Sequence, residues 1–378
     1  MALIIKKFGG TSVSTPQRRR QVLEKIIREK EKGNDVAVVV SAMGRRGDPY
    51  ATDTFLDILR EAAPEAAPRT RDLLAACGEV IAACIVAEEL AARGYPALPF
   101  TGSQAGIQTD SNFTNGAVKA VAPERLRAAL AAGSIAVVTG FQGCDAAGDL
   151  VTLGRGGSDT TAIALGGALA ADVVEIFTDV PGIAYTDPRL VPSAPFLASI
   201  AFEPMYILAK TGAKVIHHRA VETAIQFERP FWVRSTFSEE PGTLVGRPGE
   251  APGGLYGIAL LNGMALASRT ADPEGELAAL ACNEWFYITK PGRVAAVLAP
   301  ERLRELPAGC QVREAGAITL QWAPETGVTA AAVAAALAPY GAGPEDYFPV
   351  PGGGAWIVPP AQAPAAVMAL YRAPLGGG

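Results

Sequence analysis

The 378-residue sequence predicts an α/β fold with a mainly parallel central sheet, followed by a smaller α+β region. Three observations predict it. Over the first 250 residues, short β-branched runs alternate with helical patterns, and such alternation argues for a parallel sheet covered on both faces. Glycine turns follow strand-like runs directly and lead into helices, and the carboxyl ends of parallel strands are where ligands collect. Composition then shifts: proline and glycine make up 39 of residues 1–250 but 31 of the 128 that follow. The shift centres on Gly246-Arg247-Pro248-Gly249-Glu250-Ala251-Pro252-Gly253-Gly254, a stretch that neither a helix nor a central strand accepts. Residues 1–248 are expected to form one domain and 255–378 a second.

Residues 1–8 read as a buried strand running into Gly9-Gly10. Ser14 or Thr15 caps the first helix, Pro16 occupies its first turn and Gly33 ends it, with Val22, Ile26 and Ile27 as its buried stripe. Residues 36–40, 135–139, 173–178 and 231–234 read as strands, and 69–92, 123–132, 160–171 and 203–210 as helices. Beyond the linker, 255–261, 285–289, 317–322 and 355–358 suggest short strands. Residues 328–337 and 362–371 look helical, and several small βαββ-like units fit. The tail Gly376-Gly377-Gly378 is expected to fray.

Composition excludes several functions. With 49% hydrophobic and 19% charged residues the chain is globular. Thirty-three Lys+Arg against 38 Asp+Glu gives a net charge of −5, so nucleic-acid binding has no electrostatic support. Apolar runs are strand-sized, far below the roughly 18 residues of a membrane span. The N-terminus lacks a basic segment followed by a cleavable apolar one, so the protein is expected in the cytoplasm. Cys77, Cys84, Cys144, Cys282 and Cys310 form no CxxC pair and read as inert thiols. With His217 and His218 alone, no histidine-built metal centre is expected.

Three turns carry the chemistry. In Lys7-Phe8-Gly9-Gly10-Thr11-Ser12 the glycines let a ligand approach the backbone, and Lys7 places a positive charge where a transferring phosphoryl group needs one. Taken alone, a plain glycine turn beside a solvated lysine explains this segment equally well. In Leu153-Gly154-Arg155-Gly156-Gly157-Ser158-Asp159-Thr160-Thr161, a second glycine turn feeds a helix N-terminus that favours anions, and Arg155 offers a fork for a carboxylate. Asp159 is either an ordinary helix-start residue or an organiser of nearby lysines. The third cluster follows residues 173–177: Asp179 at a strand end can bind a ribose or a base edge, while Asp187-Pro188-Arg189 makes a turn with a cation. This cluster reads equally well as a structural loop. The chain has no GxxxxGK[ST] loop and no protein-kinase HRD or DFG element.

Together these segments resemble aspartate kinase of the amino-acid kinase superfamily. Further matching stretches are Val40-Ser41-Ala42-Met43-Gly44, Gly78-Glu79, Phe100-Thr101-Gly102-Ser103-Gln104-Ala105-Gly106, Gly140-Phe141-Gln142-Gly143 and Gly212-Ala213-Lys214-Val215-Ile216-His217. Val233-Arg234-Ser235-Thr236 and Glu240-Pro241-Gly242-Thr243-Leu244-Val245 complete a series in family order over about 245 residues. The insertion from Gly44 to Asp53 looks most like the diaminopimelate-pathway isoform of spore-forming Gram-positive bacteria. The resemblance implies the three-layer amino-acid kinase fold and ATP-dependent phosphorylation of the side-chain carboxylate of L-aspartate. Under it, Lys7 and Asp159 are catalytic. Lys7, Phe8, Gly9, Gly10, Thr178, Asp179, Ala184, Tyr185, Asp187, Arg189 and Lys214 bind ATP, with Mg²⁺ held through the phosphates rather than by a protein-built metal site. Ser41, Thr52, Glu79, Arg155, Gly156 and Ser158 bind the amino acid, Glu79 its ammonium and Arg155 a carboxylate.

Four positions depart from the family pattern. Ala184 stands where tyrosine is usual, with Tyr185 one place later. Pro181 replaces an aspartate, Val80 follows Glu79 where Arg or Gln is common, and His218 replaces a proline. The C-terminal region is expected to be a diverged tandem ACT-like module that supports a homodimer or higher oligomer and offers a place for an amino-acid effector, with inhibition by lysine or threonine expected to be lost. The alternatives are a non-catalytic amino-acid-sensing or assembly subunit, and a kinase of another acidic amino acid.

Overall fold

The computed structural model describes residues 1–247, 255–280, 286–373 and 375. The elements begin β1 (Leu3–Phe8), α1 (Gly10–Val13), α2 (Pro16–Glu31), β2 (Asp35–Val40), α3 (Thr52–Ala62), α4 (Pro68–Ala75) and α5 (Cys77–Ala91). They continue with β3 (Ala97–Phe100), β4 (Ile107–Thr109), β5 (Val118–Val121), α6 (Glu124–Ala131), β6 (Ile135–Thr139), β7 (Gln142–Cys144) and β8 (Leu150–Thr152). Next come α7 (Gly157–Ala168), β9 (Val173–Thr178), β10 (Ser199–Ile200), α8 (Phe202–Lys210), α9 (His218–Gln226), β11 (Phe231–Ser235) and β12 (Thr243–Val245). The rest is β13 (Leu255–Arg269), α10 (Glu276–Leu280), β14 (Tyr287–Lys290), β15 (Arg293–Leu298), β16 (Gln311–Trp322), α11 (Ala330–Leu337), β17 (Tyr347–Val350), β18 (Gly353–Val358) and α12 (Ala363–Arg372). Two compact units emerge, residues 1–183 with 215–247, and residues 184–214 with 248–378. Among the described residues no helix is long and apolar enough to cross a membrane.

In the first unit the strands run β12-β11-β9-β1-β2-β6-β3. Every neighbouring pair is parallel except β11 with β12. The mainly parallel sheet expected from the alternation is therefore present. Its continuous β-branched strands follow from burial on both faces: residues 36–40 are wholly buried, so both sets of alternating side chains meet protein. Val36, Val38 and Val40 pack with Val22, Leu23 and Ile26 of α2 and with Val86 and Leu90 of α5 in one core. Each such side chain contributes roughly 1.5–3 kcal/mol by leaving water. Thr15 caps α2, its hydroxyl accepting from Arg18 N, and Gly33 terminates it at φ +82°. A small sheet of order β5-β4-β7-β8 completes the unit.

The helix expected over 69–92 is broken at Ala76 into α4 and α5, and the helix expected to begin near residue 160 begins at Gly157, inside the glycine turn. Small residues explain α7's depth. A Cβ on Gly166 would run into the Val174 side chain, so this helix lies directly against β9.

The second unit is built on an antiparallel sheet of order β14-β15-β13-β16-β18-β17. β13 extends well beyond the expected end at residue 261. Asn262-Gly263 reads as a turn in sequence, but Gly263 takes φ +73° at an irregularity between Leu261 and Met264, and the strand continues to Arg269. Leu266, Phe286, Val297, Ala317, Phe348 and Ile357 form this unit's main core. Grouping residues 184–214 here differs from a simple boundary at 248. Cys282, Trp285, most of the Gly246–Gly254 stretch and the terminal glycines lie outside the described residues.

Candidate active site

β1 delivers Lys7 at the carboxyl end of the sheet, and the chain then turns through Gly9 and Gly10 into α1. Gly10 is demanded by packing: a Cβ there would collide with the carbonyl oxygen of Ala42 and lie 2.8 Å from that of Gly44. Gly9 has room, with Lys7 Nζ the nearest atom at 3.6 Å. Phe8 is wholly buried, its ring stacked on Phe177 with centroids 4.9 Å apart, so its side chain is a packing group and only its backbone stands near the turn.

The second glycine turn meets the first. Gly156 caps α7 in the left-handed region at φ +76°, and a Cβ there would overlap His217. This turn presents Arg155 to solvent, and among the described residues its guanidinium makes no hydrogen bond or ion pair. One turn of helix brings Asp159 to Lys7, with Nζ 2.6 Å from Oδ1 and both side chains largely buried. Burial strengthens this attraction, and the pair fixes the ammonium in place.

α5 supplies Glu79 in its first turn. The residue is 3% exposed, and its Oε1 accepts a 2.9 Å hydrogen bond from Ala42 N. Its Oε2 is buried without a hydrogen-bond partner among the described residues. Burial pushes the Glu79 carboxyl up to about 8, against the opposing hydrogen bonds from the Ala42 and Glu79 backbone. A carboxyl in this state is a socket for a cation, since an ammonium on the free oxygen supplies both the missing charge and the missing donor.

Lys7, Glu79, Arg155 and Asp159 line one cavity of about 330 Å³, together with Ser41 and Thr52. Gly10, Gly156, Ser158 and Phe141 also reach its wall. Three cations, Lys7, Arg45 and Arg155, and three acidic side chains, Asp53, Glu79 and Asp159, thus line a space sized for a small polar metabolite and the end of a second ligand. No group of three His, Cys, Asp or Glu side chains able to hold a metal alone occurs among the described residues.

The remaining expected residues are carried by other elements. Thr178 and Asp179 end β9, where Asp179 Oδ2 accepts from Arg45 at 2.7 Å. Ala184, Tyr185, Asp187, Arg189 and Lys214 belong to the second unit. There Ala184 bridges to Phe196, and Tyr185 is buried edge-on to Tyr371. Burial, with Tyr371 beside it, pushes the Tyr185 hydroxyl up. Asp187 pairs with Arg189 at 2.6 Å, and hydrogen bonds from Arg189 hold its carboxyl below the usual range.

Sequence reasoning missed the groups behind the cavity. Asp72, buried on α4, accepts from Thr114 N, Thr152 N at 2.8 Å and Thr152 Oγ1 at 2.7 Å. Arg219 donates to Leu153 O at 2.7 Å and Gly116 O at 3.0 Å, securing the strand end that precedes Arg155. His217, packed under Gly156, has its pKa lowered by burial and then by Arg219 and Arg155. No short motif marks Asp72 or Arg219, because each acts mainly on backbone groups distant in sequence; His217 closes the Gly212–His217 stretch, but its place under Gly156 exists only in the fold.

The Amino acid kinase family model matches residues 2–235. The aspartokinase of Mycolicibacterium smegmatis is 48% identical over 246 residues, covering 65% of this chain and 57% of that protein. Aspartokinase 1 of Bacillus subtilis is 46% identical over 245 residues, covering 65% of this chain and 61% of its own length. The chain thus matches less than two thirds of the length of these curated relatives. A crystal structure of E. coli aspartokinase III in complex with aspartate and ADP superposes at TM-score 0.81, covering 98% of this chain and 99% of that one. At 24% identity that likeness speaks to the fold. With the family model spanning well over half of its length, the chain belongs to the amino acid kinase family.

Proposed function

We propose that this protein transfers the terminal phosphoryl group of ATP to the side-chain carboxylate of L-aspartate, giving 4-phospho-L-aspartate. One observation carries the reading: Lys7, Asp159, Glu79 and Arg155 share a single cavity in a chain whose curated relatives are aspartokinases. Glu79 takes the substrate ammonium on its free oxygen, and Arg155 takes a carboxylate. Ser41, Thr52, Ser158 and the Gly156 turn close the pocket around them. Lys7, oriented by Asp159, meets the phosphoryl group, and the Gly9-Gly10 turn lies against the phosphates. Mg²⁺, when bound through the phosphates, neutralises charge there. This division suits phosphoryl transfer, where positioning and electrostatics do most of the work.

The chain's residues bind and orient without donating a nucleophile, because the substrate carboxylate is itself the attacking group. A coupled ADP-release assay with ATP, Mg²⁺ and aspartate, glutamate or acetylglutamate tests the reading. Turnover with aspartate alone is expected, and no turnover with any of the three would end it. We assign residues 1–248 to catalysis and 255–378 to an ACT-like region supporting a homodimer and an amino-acid effector. Sedimentation and titration with lysine, threonine and diaminopimelate test that assignment.

A further inference from the structure

The cavity around Lys7 has a neighbour of about 340 Å³ that shares Gly44 and Arg45 with it and reaches Thr11, Arg18, Asp179 and Phe237. Arg45 therefore borders both spaces. Its backbone is firmly held: Gly44 N donates to Gly10 O at 3.0 Å, Arg45 N donates to Asp48 Oδ2 at 2.8 Å, and Asp48 N returns to Arg45 O at 2.8 Å. Gly44 at φ +93° and Gly47 at φ +95° allow this tight turn. Its side chain is held lightly. The guanidinium, 72% exposed, donates to Asp179 Oδ2 at 2.7 Å and to Thr11 Oγ1 at 3.2 Å. An exposed pair of this kind is worth about 0–1 kcal/mol, so exchanging its partner costs little.

We propose that Arg45 is a further cation of the phosphoryl transfer, parked on Asp179 in the free protein and passed to the nucleotide's terminal phosphate when nucleotide binds. This rests on the kinase reading above. A phosphate offers a guanidinium two oxygens and more negative charge than one exposed carboxylate, so it wins the competition for the fork. In the transfer, a carboxylate oxygen of the substrate bonds to the terminal phosphorus as the bond from that phosphorus to the bridging oxygen breaks, and the electron pair leaves with ADP. Charge develops on the equatorial and leaving oxygens. Lys7 meets it from the end of β1, and Arg45 from the turn tied to Gly10.

The test compares the full chain with Arg45→Ala and Arg45→Lys. For Arg45→Ala, kcat falls by about 10- to 10³-fold. The aspartate KM stays within about twofold, because Arg45 engages the nucleotide's terminal phosphate and not the amino acid. The melting temperature is unchanged, millimolar guanidinium chloride restores part of the rate, and Arg45→Lys is intermediate. An Arg45→Ala kcat within about twofold of wild type overturns the proposal. So does a rate loss that guanidinium leaves untouched and that comes with an equal loss of aspartate binding. Should the wild-type chain phosphorylate none of the three acids, the kinase reading fails on its own. Calorimetry with Mg-ATP then decides Arg45, and a loss of affinity below about threefold in Arg45→Ala overturns its role.

Discussion

Lys7 Nζ lies 2.6 Å from Asp159 Oδ1, joining the end of the first strand to the first turn of a helix 150 residues later. The pair gives the ammonium one direction, toward the cavity it shares with Arg155 and Glu79. Replacing Lys7 by alanine is expected to lower kcat by about 10²–10³-fold, the usual cost of removing a donor from developing charge. Asp159→Asn should lose a comparable amount. The double variant should lose about as much as the worse single one, since the two act as a unit. Steady-state kinetics on variants with unchanged circular dichroism checks this.

Glu79 gives a pH signature. With its pKa raised to about 8, it is mainly protonated in the empty site at neutral pH, whereas an ammonium ligand requires the carboxylate. The aspartate KM should therefore fall as pH rises from 6 to 8 and flatten above. Glu79→Gln should bind aspartate poorly, with this dependence gone.

Stability should move the other way. A carboxyl whose folded pKa lies above its ordinary value of 4.5 destabilises the fold increasingly as pH rises from that value toward 8. Glu79→Gln should melt near wild type at pH 5 and above it at pH 8. Paired melting curves would refute this if the difference stayed constant.

Arg155, exposed in the glycine turn, is the fork proposed to take the substrate carboxylate. Arg155→Ala should raise the aspartate KM by about 10–10²-fold, consistent with a charge-assisted hydrogen bond of about 1.5–3 kcal/mol. Arg155→Lys should recover only part, because an ammonium cannot present two parallel donors. The ATP KM should stay nearly unchanged in both.

The two glycines of the first turn should separate under mutation. Gly9→Ala meets nothing closer than 3.6 Å and should fold normally. Gly10→Ala drives a methyl into the Ala42 and Gly44 carbonyls and should cost about 1–3 kcal/mol, visible as a lowered melting temperature.

How far the sequence predicts this molecule depends on where each signal resides. The strands at 135–139 and 173–178 are legible to the residue, because short runs rich in β-branched residues mark strands buried on both faces. The helix α3 is not. Its N-cap is Ala51 without a side-chain cap, so no capping residue marks its start, although Phe55, Leu56 and Leu59 recur at helical spacing. β4, β7 and β8 are too short for a period to show. In the site, Lys7, Arg155 and Asp159 stand out because glycines surround them. The partner of Glu79 is a backbone N–H of Ala42, a donor no residue type announces. Arg45 lies in a recognisable insertion, but its position between two cavities exists only in three dimensions.

Asp72 has a consequence for how such a catalyst could change its diet. One carboxylate fastens the helix preceding Glu79 to the strand preceding Arg155, through Thr152. The spacing between Glu79 and Arg155, the two groups proposed to hold the amino acid, is thus a property of the scaffold and not of either side chain. Admitting an acid one methylene longer would require re-anchoring that helix, a harder evolutionary step than exchanging a residue at the pocket wall.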